Sequence, residues 1–300
     1  MSWDGEALRK PATAYALTLC GIFNMRVIFG LILLTISFST RGQNYNVMIG
    51  EIRADTAKII ERFKYIEHVP TSDTLCTSGL RKAERQAKDT LCYVIWTGSL
   101  GRPLRYENEL RDLVKKHGLK FNYEFGSDVV YKNHTQGCYK DYMDKKLTER
   151  FGKNFKIRQH LKADSLFLAN HLNDTICSWD CDKEPRFINK RIGPDGIDIE
   201  VKLPIKEKRN EWTSNGQKMF AVYRPFMDIQ FTVDKNGNVS TIKLLDFISQ
   251  RDENIVFKDK LWDLVKKEIE AKYLKWTPAT IRGVDVNSTH VIRVQFKNAT

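Results

Sequence analysis

The chain has 300 residues, 42% of them hydrophobic, and 49 Lys and Arg against 37 Asp and Glu give a net charge of +12. That length suits one or two domains, and the hydrophobic share is that of a globular protein. Excess positive charge favours anionic surfaces, but no basic run is interleaved with aromatics and no helix-turn-helix or finger spacing occurs, so nucleic acid is not expected as a partner.

Residues 14–38 are largely apolar, broken at Asn24 and Arg26. Read from Met1, they form a membrane anchor, because ~20 helical residues cover a ~30 Å hydrocarbon core. Arg26 would then sit mid-membrane, at roughly 2.5–3.5 kcal/mol. Read from Met25, the same stretch is a signal peptide: Met25-Arg26 opens it, Val27 to Phe38 is its apolar run, and Ser39-Thr40-Arg41-Gly42 is its small-residue end. The second reading makes residues 1–24 an over-extended gene start and begins the mature chain near Gln43. Residues 1–42 are therefore expected to export the chain, and to contact the membrane only if uncleaved.

Residues 43–205 read as a mostly helical domain of unassigned role. Ile52, Ile59, Ile60 and Phe63 mark one helix closed at Val69-Pro70, and Leu80 to Ala87 marks another. A β-like run, Cys92 to Trp96, precedes Thr97-Gly98-Ser99-Leu100-Gly101. That segment lacks the lysine of a phosphate loop and is read as a plain loop. Helices follow over 104–117, 139–151 and 155–171, with short strands at 120–125 and 128–132. Neither a Gly-x-Ser-x-Gly elbow nor a His-Glu-x-x-His helix occurs, so no catalytic residue, metal or cofactor is assigned. An envelope hydrolase with its site in residues 44–210 is the alternative that a converging cleft would favour. Six cysteines are present, five of them beyond residue 42; bridges between Cys76 and Cys92, or between Cys177 and Cys181, are expected options in an oxidising space.

Ile197 to Ile205 alternates as a strand should, and the charged stretch 206–218 reads as a linker. Beyond it, Ile229, Phe231 and Val233 alternate, Asp234-Lys235-Asn236-Gly237-Asn238 turns, and Val239 to Leu245 resumes, which predicts a hairpin. Leu261, Leu264, Val265, Ile269 and Tyr273 then fall on one helical stripe. Trp276-Thr277-Pro278-Ala279 stops the helix, because Pro278 cannot donate. Gly283 turns the chain into a last strand alternating at Ile292, Val294 and Phe296. The expected class is α+β: a small antiparallel sheet packed on a helix over 219–300, preceded by the helical domain.

This last stretch resembles the C-terminal domain of TonB and its relatives. The resemblance rests on Phe231-x-Val233-Asp234-x-x-Gly237-x-Val239, Trp276-x-Pro278-Ala279, Gly283, Val286 and the closing alternation. It covers about the last quarter of the chain. Pro185-Arg186-Phe187 resembles the segment preceding such modules, although Ile188-Asn189 stand where a pair of glycines is usual. The resemblance implies a periplasmic or envelope protein that binds a protein partner, an outer-membrane transporter among them, by β-strand addition. Its implied site is the last strand as a sheet edge, with His290, Val291, Arg293 and Gln295 as partner-binding residues. Phe231, Val233, Gly237, Leu261, Val265, Trp276, Pro278 and Gly283 are implied as structural core. A membrane-anchored TonB-type energy transducer is the runner-up; the eight dispersed prolines supply no stiff spacer for that role.

Overall fold

The structure, a computed structural model, describes residues 56–98, 101–129, 131–188, 196–215 and 217–299, so the expectations for residues 1–42 lie outside the described residues. The class is α+β, and the chain separates into a unit Gln43–Leu172 and a unit spanning Asn173–Thr300. The boundary therefore falls well before the expected linker.

In the first unit, helices α1 (Thr56–Glu67) and α2 (Thr74–Asp89) lead into strand β1 (Cys92–Thr97). Helix α3 (Glu107–Lys116) then crosses to β2 (Lys120–Phe125), which pairs with β1 in parallel from Cys92↔Lys120 to Thr97↔Phe125. Two long helices close the unit, α4 (Cys138–Phe151) and α5 (Phe155–His171). The sequence predicted nearly all of these elements. The strand expected at 128–132 is absent among its described residues.

Among the described residues the unit has five helices, packed on both sides of the parallel strand pair. Cys92 to Ile95 are all buried because alternate side chains serve opposite layers. Cys92 and Val94 pack with Ala83, Tyr139 and Met143 from α2 and α4, whereas Tyr93 and Ile95 pack with Leu110, Val114 and Phe155 from α3 and α5.

A disulfide joins Cys76 of α2 to Cys138 at the start of α4, in place of the Cys76–Cys92 option. Cys92 stays a buried thiol that accepts from Gln86 Nε2 at 3.0 Å. Cys181 likewise keeps its thiol, directed at the Cys177 carbonyl oxygen at 3.6 Å, so those two are not bridged. Beside the disulfide, Asp73 caps α2 by accepting from the Cys76 N–H at 3.0 Å. Burial pushes the Asp73 carboxyl up, but hydrogen bonds from Tyr65, Cys76 and Thr135 overcome it and hold the group at about 2.

In the second unit, short strands β3 (Thr175–Cys177) and β4 (Arg186–Phe187) come before β5 (Ile197–Val201). Residues 206–218, expected as a linker, belong largely to an antiparallel pair, β6 (Lys208–Ser214) with β7 (Gln217–Tyr223). Arg224-Pro225 follow, and then the expected hairpin, β8 (Phe226–Val233) and β9 (Val239–Ile248). Gly237 sits at φ 78° in its turn, with Asp234 Oδ1 accepting from the N–H groups of Asn236 and Asn238. A 3-10 turn, Asp252–Phe257, enters helix α6 (Lys258–Lys272). Strands β10 (Trp276–Thr277), β11 (Ala279–Ile281) and β12 (Val284–Asn298) complete the chain.

Strand β8 buries every second residue, Met227, Ile229, Phe231 and Val233, and this face meets Leu261, Val265 and Ile269 of α6. Trp276 is 3% exposed and closes the end of that core, its ring against Phe231 and Phe187 and its Nε1 donating to the Tyr273 carbonyl at 2.7 Å. Among the residues read as core, Phe231, Val233, Gly237, Leu261, Val265 and Trp276 are buried. Pro278 is half-buried. Gly283 is exposed: it serves the turn at φ 78° and is corrected from core to turn residue. The Pro185-Arg186-Phe187 segment folds back as β4, pairing Phe187↔Trp276 without a glycine pair behind it.

Candidate functional site: the edges of the C-terminal sheet

A sheet offers backbone donors and acceptors only where a strand has one neighbour, so the site question is which strand that is. β12 is that strand over only part of its length. It pairs antiparallel with β8 from Ser288↔Val233 to Gln295↔Phe226 on one side. On the other it pairs in parallel with β3 over 287–289 and with β5 from Val294↔Ile197 to Asn298↔Val201, and its first residues pair with β11. The expectation that residues 290–297 form an open edge is thereby corrected for 294–297, where β5 lies alongside; residues 290–293 have β8 as their one strand neighbour among the described residues. The reason is the segment Ile197–Val201, a recognisable strand that was placed with the preceding domain. Its buried Ile197, Ile199 and Val201 complete the same core as Val294 and Phe296.

The four residues expected to bind a partner fall apart accordingly. His290 points into the core, its ring 5.5 Å from Trp276 and 5.7 Å from Phe231. Val291, Arg293 and Gln295 alternate with it and lie on the sheet's other face. There Arg293 holds Asp228 through two hydrogen bonds of 2.9 Å and covers the Phe226 ring at 3.8 Å. Their side chains lie on a sheet face, and of the three it is Gln295 that has a strand on both sides.

Burial holds His290 down to about 4. Because the fold binds that proton less readily than the unfolded chain, its contribution is full above about pH 6.5 and is lost as pH falls toward 4. The loss amounts to about 3 kcal/mol. In urea denaturation at pH 7 and pH 4.5, His290→Asn is expected to lose much less stability on acidification than the native chain; parallel losses would refute the role of His290.

Among the described residues β5 has β12 as its one strand neighbour, and at the opposite side of the sheet the border strand is β9. Its pairing with β8 runs from Phe226↔Ile248 to Val233↔Val239, with register shifts at Asp228/Ile229 and Gln230/Thr232 that place Leu245 and the 241–242 pair in bulges. At its start the Val239 N–H donates to the Leu274 carbonyl at 3.2 Å. From Ser240 to Ile248 no other strand lies alongside among the described residues. Val239, Ile242, Leu244 and Phe247 pack toward the core, while Leu245 is 41% and Ile248 36% exposed. The Asp246 carboxylate accepts from the Phe247 N–H at 2.8 Å. Two bulges and that carboxylate are devices by which an edge resists indiscriminate pairing.

Polar groups in the first unit converge in its interior instead of a cleft. Tyr106 Oη and His160 Nδ1 lie 2.9 Å apart, at 1% and 3% exposure. Burial, with the Lys156 charge nearby, holds His160 down to about 3. The Lys156 ammonium, pulled down to about 8 by burial, donates to Asp144 and to the Val94 carbonyl, both at 2.7 Å, and so satisfies a backbone acceptor of β1. Among the described residues no group of three His, Cys, Asp or Glu could hold a metal ion, and no helix is long and apolar enough to cross a membrane. No protein-family model, no curated protein and no solved structure matches the chain.

Proposed function

We propose that the chain is a non-enzymatic protein of the bacterial cell envelope whose C-terminal unit binds partner proteins by strand addition on β9. The observation that carries this reading is a strand of ten residues paired along one side only, with two apolar side chains exposed at that side. An extended segment added there gains main-chain hydrogen bonds, and Leu245 and Ile248 supply apolar contact that selects its side chains. The resemblance to TonB C-terminal domains supports the same mode of binding and points to outer-membrane transporters as the partner class. The bridge between Cys76 and Cys138 accords with an exported chain, since disulfides persist in oxidising compartments.

Photo-cross-linking residues placed at Leu245 and Ile248 in the exported chain are expected to give a discrete product with one envelope protein in producing cells. The same residues at Asp198 and Arg293 are expected to give none. Equal products from all four positions, or none from β9, would contradict the assignment.

A further inference from the structure

The first unit concentrates unpaired positive charge along one face of α2. Some cations elsewhere sit beside carboxylates, Arg111 with Glu107, Lys146 with Glu149, Lys266 with Asp263 and Lys272 with Glu268. Arg81, Lys82 and Arg85 of α2 and Lys120 of β2 are exposed, and among the described residues none of them is ion-paired. Arg81 and Arg85 stand four residues apart, a spacing at which like charges weaken a helix. Asp89 stands four residues beyond Arg85, yet Arg85 Nε donates instead to the Arg81 carbonyl at 3.3 Å. Lys82 lies over the Tyr139 ring at 5.1 Å, within the field of the Glu124 carboxylate but not ion-paired with it.

This charge borders space. Two solvent-open cavities meet at Arg85: one of about 410 Å³ reached by Lys82, Arg85 and Lys120, the other of about 360 Å³ reached by Arg81, Arg85 and the hydroxyl-bearing Thr71, Thr74 and Ser78. Guanidinium forks and hydroxyl donors around one hollow match a tetrahedral oxyanion, which accepts from several directions at once. Asp89 also lines the first cavity, but the cations around the two cavities outnumber that one carboxylate and their summed field draws anions in.

We propose that this groove binds two phosphate groups, one in each cavity, with Arg85 shared between them. Arg81 and the hydroxyls hold one group; Lys82 and Lys120 hold the other. Such phosphates come either from a soluble polyphosphate or from phospholipid headgroups at a membrane surface. The inference is independent of strand addition at β9, because it concerns the other unit.

The test uses the whole exported chain at about 0.15 M salt, where diffuse surface attraction is screened beyond ~8 Å. Inorganic triphosphate is titrated calorimetrically, and vesicles of phosphatidylglycerol or of neutral phosphatidylcholine are tested by co-sedimentation. Arg81→Ser with Arg85→Ser is compared with Lys266→Ser with Lys272→Ser, which removes the same charge from α6. Both pairs are exposed, and thermal unfolding verifies that each variant folds. Saturable binding to triphosphate or to phosphatidylglycerol vesicles, weakened about tenfold or more by the first pair and unchanged by the second, supports the groove. Whichever probe binds identifies the source of the phosphate. Saturable binding to neither probe, or equal weakening by both pairs, overturns it.

Discussion

Trp276→Ala is expected to cost the C-terminal unit about 3–5 kcal/mol, the range for removing a large buried aromatic. Trp276 ties together pieces distant in sequence: Phe231 of the hairpin, Phe187 of the fold-back segment, and the helix end through Tyr273. Its backbone is engaged as well. The Trp276 N–H donates to the Gly237 carbonyl at 2.8 Å, and a Cβ on Gly237 would stand 2.0 Å from the Trp276 carbonyl oxygen. No rotation of a side chain relieves such a contact, and φ at Gly237 is already in the left-handed region. Chemical denaturation followed by far-UV circular dichroism checks the substitution. A loss below about 1 kcal/mol would mean that Trp276 does not close the core.

Removing the Cys76–Cys138 bridge is expected to cost the N-terminal unit about 4 kcal/mol, since the two cysteines lie 62 residues apart and closing a loop of that length restricts the unfolded chain by that order. The paired variant Cys76→Ser with Cys138→Ser, which leaves no lone thiol of the pair, is compared with the oxidised chain by urea denaturation. Asp73 keeps its hydrogen bonds from Tyr65 and Thr135 in that variant, so the fold near the helix starts is retained while the midpoint drops. An unchanged midpoint would show that the unfolded chain gains nothing from release of the link.

Local pattern carried most of the element assignments. The hairpin about Asp234–Asn238 and the stripe of Leu261, Val265 and Ile269 are each decided within a few residues of sequence, and the structure has them; the helix ends at Lys272, ahead of Pro278, which instead separates β10 from β11. Partner choice between strands is decided elsewhere. Ile197–Val201 alternates clearly, but nothing in five residues says that it pairs with Val294–Asn298 almost a hundred positions later. The β-run Cys92–Ile95 was legible too; that it runs parallel to Lys120–Phe125 follows from α3 lying between them and packing back.

Residues 206–218 misled through their charge. Their Asn215-Gly216 pair is a strong hairpin signal, flanked by strands that the structure extends from Lys208 to Tyr223, with Asn215 at φ 50°. The Cys76–Cys138 bridge was beyond reach, because connectivity depends on how α2 and α4 meet. The candidate edge moved from β12 to β9 for the same reason: an edge is a property of the whole sheet.

Hydrogen exchange of the β12 amides tests the arrangement of that sheet most directly. The Phe296 N–H donates to the Pro225 carbonyl at 3.0 Å on the β8 side, so alternation sends the N–H groups of Gln295 and Lys297 to the opposite side, toward β5. In an enclosed strand the amides of Gln295 and Lys297 exchange as slowly as that of Phe296, while the stretch Ser240–Ile248 contains amides that exchange freely. Rapid exchange at Gln295 and Lys297 beside a slow Phe296 would make β12 a border of the sheet and contradict its pairing with β5.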